Sequence, residues 1–211
     1  MFNFQNLYLF FIASILLNIT PGNDMLYVAS RSISQGVKAG MVSAMGIFVG
    51  GFVHITAAVL GLSIIISKSA YLFQLIKFAG AGYLIHLGIK ALITKRTSRA
   101  VGDKKQAKIG YWNLLKQGII TNALNPKVAI FFLSFLPQFI NAASPFFKVQ
   151  LFTLGIWFDL QGTLVLIIVA GILGKTRDFF SNSPKLRMIQ EKITGFILIG
   201  LGIKVALVAK K

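Results

Sequence analysis

From Ala39 to Ser67 the chain carries no Asp, Glu, Lys or Arg. About 20 apolar residues suffice for a helix to cross the hydrocarbon core of a bilayer, and this run exceeds that length. Comparable apolar runs cover about Leu7 to Ile19, Tyr71 to Ile93, Leu114 to Ile140, Val149 to Leu173 and Ile193 to Val208. Charged residues make up 13% of the 211, against the roughly 25% usual in soluble domains. The mean hydropathy is +0.75. The sequence therefore reads as a single all-α integral membrane domain over residues 1–211, with six transmembrane helices.

The first run has the length of a secretory signal. It lacks a basic n-region, however, and Pro21-Gly22-Asn23-Asp24 stands where small residues would mark cleavage. A mature helix is expected there, followed by an amphipathic continuation and loop over residues 25–38 that carries Arg31 and Lys38.

The net charge of +17 would suit a nucleic-acid binder, but the basic residues fall between apolar runs instead. Arg31 and Lys38, then Lys95, Arg96, Arg99, Lys104, Lys105 and Lys108, then Lys175, Arg177, Lys185, Arg187 and Lys192 belong to the odd-numbered loops. Only Lys68, Lys148, Lys210 and Lys211 lie on the opposite side. Cytoplasmic loops are the ones enriched in Lys and Arg, so both termini are expected outside and the odd loops in the cytoplasm. The last span carries Lys204, which can snorkel to the interface.

Two stretches break the apolar pattern. Asn18-Ile19-Thr20-Pro21-Gly22-Asn23-Asp24 ends in the first carboxylate of the chain, and Asn122-Ala123-Leu124-Asn125-Pro126-Lys127 sits at a comparable place in the other half. Proline removes a backbone donor and glycine is a poor helix residue. Within a membrane, interrupted backbone is tolerated only where protein or a wet cavity surrounds it.

The halves also resemble each other. Pro21 pairs with Pro126, and Gly46-Ile47-Phe48-Val49-Gly50 with Gly155-Ile156-Trp157-Phe158-Asp159. Lys77-x-x-Gly80 with Leu87-Gly88-Ile89-Lys90 pairs with Lys192-x-x-Gly195 and Leu201-Gly202-Ile203-Lys204. Order is kept from pair to pair. Repeat one would cover about 1–94 and repeat two about 114–211, with a basic cytoplasmic loop at about 95–113. Three spans per half is an odd number, so the repeats must be inverted, as in secondary transporters whose sites form at broken helices.

Asp24 and Asp159 are the acids within or nearest the membrane. An acid at mid-span costs roughly 2.5–3.5 kcal/mol on the insertion scale, which marks a site by default. Each is read as binding a cationic amine or cycling a proton. The alternatives are a helix cap for Asp24 and an ion pair with a neighbouring lysine for Asp159. Lys127, with the helix restarting at Pro126, makes a seat for a carboxylate, the alternative being a snorkelling lysine. Asn18, Asn122 and Asn125 can satisfy freed backbone groups or bind ligand.

His54 reads as a packing histidine more readily than as a proton relay, and His86 is similar and weaker. Gly46-x-x-x-Gly50 allows close helix approach and would also serve homo-oligomerisation. Tyr111, Trp112 and Trp157 fit interfacial or packing positions.

Other classes fit poorly. The chain has no cysteine and only two histidines and five acids, so neither a metal site nor another cofactor is expected. No nucleophile–base spacing points to an enzyme. Gly171-Ile172-Leu173-Gly174-Lys175-Thr176 lacks the first glycine of a phosphate loop, because Val169 holds that position. Transport driven by ion gradients or exchange remains, with a passive channel or an exporter of another small solute or cation as alternatives.

Several motifs together resemble the LysE/RhtB family of amino-acid exporters, more its homoserine/threonine-efflux branch than its lysine branch. They are Asn18-x-Thr20-Pro21-Gly22-x-Asp24, Arg31-Ser32-x-x-x-Gly36-x-x-Ala39-Gly40, Gly46-x-x-x-Gly50 with His54, Asn125-Pro126-Lys127, Phe131-Phe132, Leu136-Pro137-Gln138-Phe139 and Ile199-Gly200-Leu201-Gly202. The resemblance covers essentially the whole chain. It implies a six-helix exporter of the bacterial inner membrane, coupled to protons, and directs attention to Pro21, Gly22, Asp24, Asn125, Pro126 and Lys127. Two departures stand out: Asn23 replaces a frequent second proline, and Gly51 replaces an acid found just before the histidine in many members.

Overall fold

The computed structural model describes residues 4–62, 70–93, 108–141 and 144–175, with positions 192, 196, 199, 200, 202, 203, 206 and 207. Every described element is helical. Helix α1 spans Phe4–Ile19 and α2 spans Asn23–Gln35. Helix α3, Val37–Ala57, runs on into a π-helical turn over Ala58–Leu62, and α4 covers Ala70–Ile93. Helix α5 is Tyr111–Ala123, and α6 restarts at Pro126–Ile130. The α6 segment continues through a π-helical turn, Phe131–Phe135, and a 3-10 turn, Leu136–Phe139. Helix α7 is Phe147–Lys175.

Two of these are long and apolar enough to cross a membrane, Val37–Gly61 and Phe147–Lys175. Two bent pairs pass the same test jointly. Leu7–Ile19 meets Asn23–Gln35 at 48°, and Tyr111–Ala123 meets Pro126–Phe139 at 43°. Both bends fall at the breaks read from sequence. The third expected span is α4. The last span is described only at scattered helical positions, and most of the repeat match that ends in it and of the basic loops lies outside the described residues.

The amphipathic continuation expected over 25–38 is α2, helical to Gln35, and the loop expected with it is reduced to Gly36, which alone turns the chain into α3. Gly36 has φ +89°, a conformation that a side chain disfavours, so one glycine does the work of a loop. The fourth expected span starts slightly early, with Tyr111 and Trp112 inside α5.

The apolar surface of the chain is not confined to its core. On α7, Val149, Phe152, Trp157, Leu160, Leu164 and Ile168 are exposed at helical spacing, while Gln150, Asp159 and Thr163 are buried. His54, Asn122 and Asn125 are buried as well. An apolar exterior, with polar side chains turned inward among the core residues, is what a lipid solvent selects. One end of the interior is an aromatic cluster. Phe131 stacks on Phe158 at 4.3 Å, and Phe10, Phe132, Phe135 and Phe139 surround the pair.

Helix α3 is the centre of the packing, lying against α2, α5 and α7. Its Gly46 and Gly50 meet α5 at Leu115, Gly118, Ile119 and Asn122. The glycine face expected to serve oligomerisation is thus occupied within the chain. A Cβ added at Gly118 would lie 2.6 Å from the Ser43 carbonyl, which is backbone and cannot turn aside. Gly118→Val is therefore expected to lower stability by at least the roughly 1–3 kcal/mol usual for overpacking. Thermal unfolding in detergent should show it, with Gly171→Val, whose added carbon meets nothing, as the neutral control.

Candidate functional site at the paired helix breaks

Each break has a local cause. At the end of α1, Thr20 donates its backbone N–H to the Leu16 and Leu17 carbonyls and its hydroxyl to Leu16. Pro21 then has no N–H to continue the ladder and disfavours helix in the residue before it. Helix α2 begins after Gly22, whose carbonyl accepts from Leu26 N–H at 2.9 Å. Asp24 lies in its first turn, where an acid complements the helix dipole. Gly22 is the cap residue, so Asp24 is not the helix cap that one reading allowed.

In the second break, the Asn125 side chain caps α6 by accepting the Lys127 N–H at 3.0 Å. Pro126 occupies the first helical turn. Loss of such a cap costs about 1 kcal/mol. Asn125→Ala is accordingly expected to lower the unfolding midpoint slightly while leaving the helical circular-dichroism spectrum intact.

The two breaks meet. Lys127 Nζ crosses between them and donates to the Thr20 carbonyl at 3.0 Å and the Leu17 carbonyl at 3.2 Å. It thereby holds the carbonyl end of α1, a favourable place for a cation. Gly22 makes room, since a carbon added there would lie 3.1 Å from Nζ. Lys127 thus folds into the break and does not snorkel. Two of its three N–H groups are engaged, and the third remains for another acceptor.

Asp24 is held from the same side. Asn122 Nδ2 donates to Asp24 Oδ2 at 2.8 Å, while Asp24 Oδ1 has no partner. Asn125 also faces this carboxylate. Its Nδ2 and the Asn122 Oδ1 are likewise buried without partners. Asp24 and Lys127 lie within each other's electrostatic field, yet Lys127 donates to backbone carbonyls and not to the acid. The charges are opposite, close and not consumed by each other.

The remaining candidates divide. His54 Nε2 lies 2.7 Å from the Asn122 carbonyl. A carbonyl only accepts, so Nε2 carries the proton and braces the end of α5, which makes His54 part of the frame. Asn18 Nδ2 donates to the Phe158 carbonyl at 3.1 Å, tying α1 to α7 beside Asp159. Asp159 is 7% exposed and has no lysine partner among the described residues; its Oδ2 is unpartnered. Its carboxylate rests directly against Gly51 of α3. Gly51, the departure from the family pattern, is thus the seat of an acid that comes from another helix. His86 is exposed on α4. Among the described residues no three His, Cys, Asp or Glu gather closely enough to hold a metal ion.

One feature of the surroundings was not foreseen. Tyr27, Arg31 and Gln35 recur at every fourth position of α2, a spacing that puts them on one helix face. All three meet α5 or the residues just before it. The Tyr27 hydroxyl donates to the Leu114 carbonyl at 2.6 Å, Arg31 Nη2 to Gln117 Oε1 at 3.2 Å, and Ile109 N–H to Gln35 Oε1 at 3.1 Å. The stripe was visible in the sequence as a polar face, but its partners lie more than seventy residues away.

The chain matches the family model for the LysE type translocator over residues 15–208. It is 35% identical over 196 residues to the uncharacterized membrane protein YrhP of Bacillus subtilis (strain 168), covering 90% of this chain and 92% of that one. It is 26% identical over 203 residues to the leucine efflux proteins of Salmonella typhimurium and Salmonella choleraesuis, covering 95% of this chain and 94% of theirs. No solved structure matches.

Proposed function

The chain belongs to the LysE type translocator family, and on that premise we propose that it is a secondary exporter of neutral amino acids. The observation that carries this reading is the pair of unspent opposite charges, Asp24 and Lys127, at the meeting point of two helix breaks. A zwitterion supplies a cation for one and an anion for the other. Desolvating two charges is compensated only when each finds a partner, which a zwitterion achieves in one event.

In this reading the substrate ammonium lies on Asp24 Oδ1 and Asn122 Oδ1. The carboxylate takes the third N–H of Lys127 and the free amide of Asn125. Pro21, Gly22 and Pro126 keep the backbone open around it. The site lies between two halves arranged as inverted repeats in a six-span bacterial inner-membrane protein, and the two bends of similar size support that arrangement. The Tyr27–Arg31–Gln35 stripe would close the cytoplasmic approach between α2 and α5, which favours a gated carrier over a passive channel. Leucine and threonine-like amino acids are the first candidates, and proton entry drives export.

Competition tests the seat. In liposomes containing the purified protein, exchange of the transported amino acid should be inhibited by that amino acid. Neither its amide, which lacks the anion, nor its deaminated acid, which lacks the cation, should inhibit. Equal inhibition by the amide would remove Lys127 from the seat.

A further inference from the structure

Asp159 is the one buried acid among the described residues that the seat above does not use. It projects from α7 onto Gly51, where the absence of a side chain leaves room for the carboxylate against the α3 backbone. Oδ2 has no hydrogen-bond partner. Four residues further, on the same face of α7, the buried Thr163 Oγ1 is also without a partner.

The groups around Asp159 can be taken element by element. From α1 comes Asn18, a neutral amide committed to the Phe158 carbonyl. From α2 comes Asp24, whose charge acts directly on Asp159. From α3 comes His54, turned away onto the Asn122 carbonyl. The π-helical turn after α3 and the 3-10 turn before α7 carry no ionisable residue. Lys127 is turned onto the α1 carbonyls, and Arg31 reaches Gln117. Among the described residues no cation is placed to neutralise Asp159. A buried carboxylate in that position holds a proton or must acquire a cation.

We propose that Asp159, seated on Gly51, is the proton-carrying site of this transporter, distinct from the Asp24–Lys127 substrate seat. The proposal rests on the export reading. The proton binds Asp159 Oδ2 from outside, where it neutralises the carboxylate. A substrate ammonium arriving at Asp24 brings positive charge into the field that the two acids share, and so competes with that proton. The proton then leaves Asp159 toward the cytoplasm, with Thr163 as the first hydroxyl on its way. Release of substrate outside restores the negative field, and another proton binds. One proton enters for each such cycle, and the two sites are linked reciprocally.

The test uses the full-length protein in liposomes with a mixture of the standard amino acids, isotope-labelled on one side. Labelled-for-unlabelled exchange without a pH gradient reports the substrate seat. Proton release on adding the same mixture to detergent-solubilised protein, and net transport driven by a pH gradient, report Asp159. For Asp159→Asn, exchange should persist, while proton release and gradient-driven transport are lost. Gradient-driven transport that survives in Asp159→Asn would overturn the proposal. So would loss of exchange in a variant that keeps the wild-type helical spectrum, because Asp159 would then belong to the seat.

Gly51→Ala supplies a second reading, since its methyl group would take the place of the carboxylate. It should shift the pH at which transport is half-maximal, and an unchanged midpoint would contradict the assignment. If the wild-type protein exchanges amino acids without releasing protons, this proposal falls and export stands. If it exchanges none, both fall.

Discussion

Lys127→Met is expected to abolish efflux and to destabilise the protein. Methionine keeps an unbranched side chain only one atom shorter but loses the charge and all three donors. The Thr20 carbonyl, now held at 3.0 Å by Nζ, would be left at the end of α1 facing a thioether. An unsatisfied buried acceptor costs about 1–3 kcal/mol. The uncompensated Asp24 beside it would add to this, because breaking one member of a buried charge pair exposes the cost of the other. A lower thermal midpoint in detergent together with absent exchange would agree with both roles. Lys127→Arg separates them. It keeps the charge, but its larger planar head must fit where the Gly22 backbone already stands close to Nζ. Fold should be retained and exchange reduced.

Asp24→Asn should have the complementary effect, removing transport at a smaller cost in stability, because the Lys127 left without its counter-charge keeps both carbonyl acceptors. An asparagine side chain still offers an oxygen to Asn122 Nδ2, so the 2.8 Å contact can persist. What disappears is the negative charge, and with it the partner for an ammonium. Hydrogen bonds to charged groups contribute about 1.5–3 kcal/mol, so substrate affinity should fall by at least about tenfold. Thermal unfolding and amino-acid exchange on the same preparation check this. A variant that unfolds would make Asp24 a structural acid, and one that exchanges normally would remove it from the seat.

How much of this was legible in the sequence follows from the range over which each interaction acts. Pro21 and Pro126 break helices through their own rings, so both bends could be placed to the residue. Periodic apolar runs gave α3 and α7 closely, and α4 likewise. The inward polar face of α7 was readable only as one acid, Asp159, in an apolar run. Its meaning depends on Gly51, which lies on another helix more than a hundred residues earlier and which the sequence offered as a small contact residue and a departure from a pattern.

The role of Lys127 shows the same limit. The charge and the break were evident, but its two contacts to α1 carbonyls span more than a hundred residues and turn a ligand candidate partly into a clamp. The glycines of α3 were rightly read as a contact face, while their partner, α5, could not be told from a second copy of the chain. The one-residue turn at Gly36 was missed because Arg31 and Lys38 read as loop charges, although Arg31 is a polar contact inside the bundle.

The most direct measurement is efflux from liposomes preloaded with a mixture of the standard amino acids, read by mass spectrometry with and without an imposed pH gradient. The account predicts selective loss of one or a few neutral amino acids, accelerated when protons can flow inward against the direction of export. Movement of no amino acid by folded protein, under either condition, would contradict it.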